Sequence, residues 1–241
     1  VSLLAVQEVS KRYRRGRREY VALNGVSLSV ESGEVVAVLG TRKSGRSTLL
    51  RIAAGLERPD QGRVRFQGAD LLPSDVVIGR RLTYCRMAFS ELEGDVVLDH
   101  VAAGLLAQDM TVVEAARVAD RALARVGVSA CARMRPYELE PAEFVRVAIA
   151  RALTSSPALL VIDEPTAAVG PLQSDPILRL VRSLADEGVA VLMSTSDATC
   201  LSGADRALSL DQGELRGELD PPEAEVVPFR VVGSQSEAGA G

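Results

Sequence analysis

The sequence predicts an α/β fold with a mixed-sheet core, an antiparallel β subdomain and an inserted helical subdomain. Two observations carry that prediction. Val35–Leu39, Leu159–Ile162 and Val189–Met193 are continuous apolar runs of strand length, the pattern of parallel strands buried on both faces. Between them lie stretches with helical periodicity, so strands and helices alternate along the chain.

Taken in order, Leu3–Val9 and Val26–Val30 suit strands of a small antiparallel sheet. The basic run Lys11-Arg12-Tyr13-Arg14-Arg15-Gly16-Arg17-Arg18 between them reads as a solvated hairpin turn or, alternatively, as a patch that meets nucleotide, a partner or acidic lipid headgroups. Val35–Leu39 leads into a glycine loop and a helical pattern over Leu49–Gly55. Val96–Ala107, Val112–Val126 and Ala142–Leu153 read as helices, and Leu172–Glu187 as another, ended by Gly188. Asp211-Gln212-Gly213 suits a turn between Ala207–Leu210 and Glu214-Leu215. The expected organisation is one domain over residues 1–219, with the helical subdomain at about 88–156, and a flexible tail over 220–241 rich in Pro, Gly, Ser and Ala.

Composition narrows the function. The chain has 241 residues, 47% of them hydrophobic, enough for one large core. A net charge of −4 argues against general nucleic-acid binding. Cys85, Cys131 and Cys200 are widely spaced and odd in number, which fits buried thiols in a reducing compartment better than a disulfide or metal framework. His100, the single histidine, falls in an amphipathic helical stretch and reads as an ordinary helix residue. No apolar run reaches the roughly 18 residues of a membrane span, so any membrane role is expected to use separate subunits.

The chemistry concentrates in Gly40-Thr41-Arg42-Lys43-Ser44-Gly45-Arg46-Ser47-Thr48. Strand, glycine loop and helix in that order make a phosphate cradle: backbone N–H groups converge, and the helix presents its positive end to the same anion. The pattern G-x-x-x-x-G-K-[ST] is met except that Arg46 stands where lysine is expected. Arginine keeps the charge but is longer, planar and forked. Ser47 is placed to ligate magnesium.

A second cluster ends the run Ala158–Ile162 with Asp163-Glu164-Pro165-Thr166. Alternation along an extended chain sends the two carboxylates to different faces. Asp163 then suits magnesium, and Glu164 suits a water aimed at a terminal phosphate, as catalytic base.

With both motifs in place, the chain resembles the ATP-binding cassette ATPases from about Leu3 to Leu215, a P-loop NTPase fold of ABC type. Val145-Arg146-Val147-Ala148-Ile149-Ala150-Arg151-Ala152-Leu153 is similar to the helix after that family's signature motif. Tyr13 lies 27 residues before Gly40 (40 − 13), where the family places an aromatic that stacks on adenine. The spacing from Tyr13 to Leu23 is similar to that of the lipoprotein-release, macrolide-export and cell-division branch. The resemblance implies ATP and Mg2+ as ligands, a second cassette subunit and transmembrane permease subunits as partners, and a cytoplasmic place at the inner membrane face.

Five positions depart from the family pattern, starting with Arg46. The signature L-S-G-G-Q falls on Leu139-Glu140-Pro141-Ala142-Glu143, where Glu140 brings negative charge, Pro141 has no N–H and Ala142 adds a methyl group. The glutamine position falls at Met87 or Arg86, the D-loop aspartate at Gly170 and the switch histidine at Ser196. The expectation is a cassette that couples ATP binding to permease movement with weak or lost hydrolysis, or a pseudo-ATPase partner of a permease or of an intact cassette.

Overall fold

The computed structural model describes residues 2–16, 18–72, 81–88 and 96–219. A six-stranded mixed sheet forms the centre. In spatial order its strands are β10 (Glu214–Leu219), β9 (Arg206–Asp211), β3 (Val35–Leu39), β8 (Ala190–Thr195), β7 (Leu159–Asp163) and β6 (Leu82–Cys85). All neighbours run parallel except the β9–β10 hairpin. A second, antiparallel sheet has the order β2 (Arg18–Val30), β1 (Leu4–Arg15), β4 (Gln61–Phe66), β5 (Ala69–Asp70).

The continuous apolar runs have a direct cause. Alternate residues of the central strands face two separate cores. Val35, Ala37, Leu160, Ile162, Val191 and Met193 face one, with the helices α2 (Val97–Leu106), α3 (Val112–Arg125), α4 (Pro141–Leu153) and α5 (Pro171–Asp186). Val36, Val38, Leu159, Val161, Ala190 and Leu192 face the other, with the antiparallel sheet and α1 (Arg46–Ala53). A strand buried on both faces has no polar side to show.

The helices follow their sequence signals closely. Thr111 caps α3 by accepting from the Glu114 N–H at 3.3 Å and donating to its carboxylate at 2.6 Å. Ala115, Ala119, Ala122 and Leu123 then form its buried stripe. In α5, Pro171 sits in the first turn, where its missing N–H costs nothing.

The basic run forms an exposed hairpin, as expected, but most of it is paired strand rather than turn: β1 continues to Arg15, which pairs with Arg18, and Lys11, Arg12, Tyr13 and Arg14 pair with Leu23, Val21, Tyr20 and Glu19 of β2. Lys11 leaves solvent to meet Asp60 at 3.1 Å and Glu57 at 3.7 Å, so neighbouring carboxylates compensate part of the charge run. The first helix starts at Arg46, three residues before the expected Leu49, because the end of the glycine loop is already helical. Strands β4, β5 and β6 were not among the expected elements: the charged–apolar alternation of β4 is a usable strand signal that was passed over, and the other two are short. The expected tail at 220–241 and residues 89–95 of the expected helical insertion lie outside the described residues.

Candidate functional site

The glycine loop sits at the C-terminal end of β3, between neighbours that leave no room for side chains at two positions. A Cβ at Gly40 would lie 2.5 Å from both the Leu210 carbonyl oxygen and the Ser44 Oγ. Gly45 has φ +108°, and a Cβ there would collide with the Ala22 carbonyl. The Gly213 N–H donates to the Ser44 carbonyl at 2.8 Å, which ties the loop to the β9–β10 turn.

Gly45 is also the N-cap of α1, and it supplies no side-chain cap. The opening N–H groups of the helix therefore lack intrahelical acceptors and present the positive end of its dipole. Within the same loop the Ser44 Oγ and one Arg46 terminal nitrogen, Nη1, are buried without a partner. Buried orphan donors at a helix N-terminus fit an anion, and phosphate oxygens satisfy both requirements. A cleft of about 650 Å³ opens beside them, lined by Lys43, Ser47 and Thr48 on one side and by Arg18, Glu19 and Tyr20 on the other.

Arg46 does not wait for a ligand with all its donors free. Its Nη2 is paired with the Glu164 carboxylate at 2.6 Å, and Arg46 is only 8% exposed. The other Glu164 oxygen accepts from the Ser196 N–H at 3.3 Å and the Ser196 hydroxyl at 3.2 Å. The glycine loop, the carboxylate strand end and the switch position are thus linked through one glutamate. The backbone at Glu164 departs from the expected strand alternation: φ is +52°, and β7 ends at Asp163. A non-glycine residue held in that region costs about 1–3 kcal/mol. The Glu164 N–H donates to the Ser194 hydroxyl at 3.1 Å, which helps hold the turn.

Ser194 also donates to Asp163, and the Tyr84 hydroxyl reaches the other Asp163 oxygen at 3.4 Å. Burial first, then the Asp163 charge, pushes the Tyr84 phenol up to about 12. An unfolded tyrosine ionises near 10. Below that pH the proton stays on in both states; between the two values the unfolded chain loses it first, so folding stability falls as pH rises. In an ultraviolet titration of the chain's four tyrosines, Tyr84→Phe is expected to remove the phenol that ionises near pH 12.

Other expected site residues are placed as follows. Tyr13 stacks on Tyr20, centroids 5.3 Å apart; its hydroxyl donates to Glu57 and accepts from Arg51 at 3.1 Å. Met87 packs against the main core, a thioether in place of an amide. Glu140 precedes α4 as its N-cap, and its N–H is taken by the Glu143 carboxylate at 3.0 Å. Pro141 follows with none to give. Leu139 and Ala142 pack partly against the core. Gly170 caps α5 with ordinary extended backbone. Beyond Glu164 and Ser196 a second cleft of about 780 Å³ continues past Thr166, Asp175 and Cys200.

The sequence reading missed Ser194, Tyr84 and Tyr20. Ser194 had a usable signal, a hydroxyl that directly follows the apolar run Val189–Met193, two residues before the switch position. The other two owe their place to strand pairing: β6 beside β7, and Tyr20 directly across from Tyr13.

The profile of the ABC transporter family matches residues 23–167. The lipoprotein-releasing system ATP-binding protein LolD of Chromohalobacter salexigens is 35% identical over 88% of this chain and 92% of its own length. The cell division ATP-binding protein FtsE of Escherichia coli K12 is 34% identical over 89% of this chain and 98% of its own length. Among solved structures, the dimeric bacterial ABC transporter cassette MJ0796 superposes with a TM-score of 0.81 at 27% identity, covering 90% of this chain and 98% of that one.

Proposed function

Since this chain belongs to the ABC transporter family, we propose that it binds magnesium-ATP as the cassette subunit of a membrane transport complex and couples binding, with little hydrolysis, to movement of permease subunits. The observation that carries the weak-hydrolysis part is the Arg46–Glu164 ion pair. It occupies the loop cation that would meet the terminal phosphate and the carboxylate that would orient the attacking water. Lysine presents one compact ammonium, whereas the arginine fork engages the glutamate while leaving Nη1 over for phosphate.

The phosphates fit the buried donors of Ser44 and Arg46 and the first turn of α1. Ser47 and Asp163 are the oxygen donors for magnesium. Magnesium supplies charge neutralisation on the phosphates. Among the described residues no helix is long and apolar enough to cross a membrane. Attachment at the inner membrane face therefore runs through permease subunits in this reading, and a second cassette subunit completes the assembly.

Calorimetric titration with magnesium-ATP tests the proposal. Wild type is expected to bind, and Glu164→Gln to bind about 10-fold more tightly, because the neutral amide releases Arg46 to the phosphates. Equal affinities would mean that the pair does not withhold the loop cation. A second reading, a pseudo-ATPase serving as a structural partner, is favoured by the signature segment, where Glu143 consumes the Glu140 N–H and Pro141 lacks one. Absence of binding up to millimolar ATP would select it.

A further inference from the structure

We infer that the closed Arg46–Glu164 pair makes the site selective for a nucleoside diphosphate, with the Glu164 carboxylate holding the guanidinium edge that a third phosphate would need. The inference rests on the nucleotide-binding reading above and deepens it, naming Glu164 as the residue that sets how many phosphates the cradle accepts.

The two terminal nitrogens of Arg46 are committed differently. Nη1 is buried without a partner, as is the Ser44 Oγ in the same loop. Nη2 is paired with a Glu164 oxygen at 2.6 Å. The fork therefore has one edge open to an anion and one edge already holding an anion. Arg46 lines the cleft of about 650 Å³ and Glu164 lines the cleft of about 780 Å³, so the ion pair stands where the two meet. A diphosphate satisfies the orphan donors and the N–H groups that open α1 while the pair stays closed. A third phosphate reaches Nη2 only by replacing the carboxylate.

Glu164 is held in place by contacts that do not involve Arg46. Its second carboxylate oxygen accepts from the Ser196 N–H at 3.3 Å and the Ser196 hydroxyl at 3.2 Å. Its backbone N–H donates to Ser194 at 3.1 Å, and its carbonyl accepts from the Ala167 N–H at 3.2 Å. A phosphate that captured Nη2 would leave the carboxylate tethered to Ser196 beside it, so two anions would crowd one guanidinium. The Arg46 side chain is 9% exposed and that of Glu164 is 25% exposed, so solvent and salt screen this repulsion poorly. The pair thus stays closed on a diphosphate and must open for a triphosphate, which makes it a switch set by the terminal phosphate.

Calorimetric titrations of the full chain with ADP and ATP, with magnesium present throughout, test this. Wild type is expected to bind ADP about 10-fold more tightly than ATP. Glu164→Gln keeps the size of the side chain and removes its charge; it is expected to tighten ATP binding about 10-fold and ADP binding by less than about twofold, which erases the preference. Pyrophosphate and inorganic tripolyphosphate, which carry no base, should follow the same order in wild type, although charge alone favours tripolyphosphate. That comparison needs no variant. The opposite order in either pair of wild-type titrations, or equal tightening of both nucleotides by Glu164→Gln, would overturn the inference and leave nucleotide binding standing. A wild-type chain that binds none of these ligands would overturn the nucleotide reading and this inference together.

Discussion

Steady-state ATP hydrolysis is expected to rise by at least about 100-fold when three altered segments are restored together: Arg46→Lys, Glu140→Ser with Pro141→Gly and Ala142→Gly, and Ser196→His. Lysine at position 46 is shorter and lacks the second terminal nitrogen through which Arg46 reaches Glu164 at 2.6 Å, so its ammonium and the glutamate are expected to be more available to the reacting phosphate. Serine at the N-cap and two glycines at the start of α4 remove the carboxylate of Glu140 and replace a tertiary amide nitrogen with an N–H donor. Histidine at 196 replaces the hydroxyl that donates to Glu164 at 3.2 Å with an imidazole able to donate toward phosphate.

Each restoration alone is expected to give less than about 10-fold, because residues that act as one constellation are strongly non-additive. Phosphate release measured across a range of protein concentrations checks this, since a site completed by a second cassette turns over faster as the chain associates. Tight ATP binding by the restored chain without a gain in phosphate release would sink the weak-hydrolysis reading and favour a structural partner. Three of the departures read from the family resemblance, at Arg46, Glu140–Ala142 and Ser196, lie at the glycine loop, at the N-terminus of α4 and beside the Glu164 carboxylate. The scaffold strands beneath them remain apolar and fully buried.

That contrast also explains how much was legible in the sequence. The doubly buried strands were legible because both faces of β3, β7 and β8 meet hydrophobic cores, which leaves short, continuous apolar runs of strand length. The glycine loop was legible because Gly40 and Gly45 answer local steric demands. The Arg46–Glu164 pair was not legible: its partners are 118 positions apart (164 − 46), and only the adjacency of β3, β8 and β7 brings them together. The turn at Glu164 was missed for a related reason. Strand alternation predicts direction only while the chain stays extended, and the Ser194 hydroxyl on the neighbouring strand helps hold the left-handed bend. Tyr13 was singled out through the family resemblance, whereas its stacking partner Tyr20 follows only from the register of β1 against β2.

Gly45→Ala is expected to destabilise the fold by about 3 kcal/mol and to remove phosphate binding, whereas Gly16→Ala should cost about 1 kcal/mol and leave binding intact. Both glycines have positive φ, but +61° at Gly16 lies in the left-handed region that an alanine can enter, whereas +108° at Gly45 lies outside it. Their surroundings also separate them. At Gly16 nothing lies within 4 Å of an added methyl group, while at Gly45 the methyl meets the Ala22 carbonyl and, at 3.0 Å, a Leu23 methyl. Leu23 is fully buried and Ala22 is part of β2, so neither yields without moving the strand against the loop. Relief by rotating the peptide at position 45 would turn the first N–H groups of α1 away from the anion and misplace Ser44, whose carbonyl is held by Gly213. Chemical denaturation of the two variants beside wild type, with tripolyphosphate binding measured on each, checks both halves. Equal stability losses would show that Ala22 and Leu23 give way freely. Intact phosphate binding in a destabilised Gly45→Ala would show that the cradle tolerates a rotated entry into the helix, and the orphan donors of Ser44 and Arg46 would then carry the anion without it.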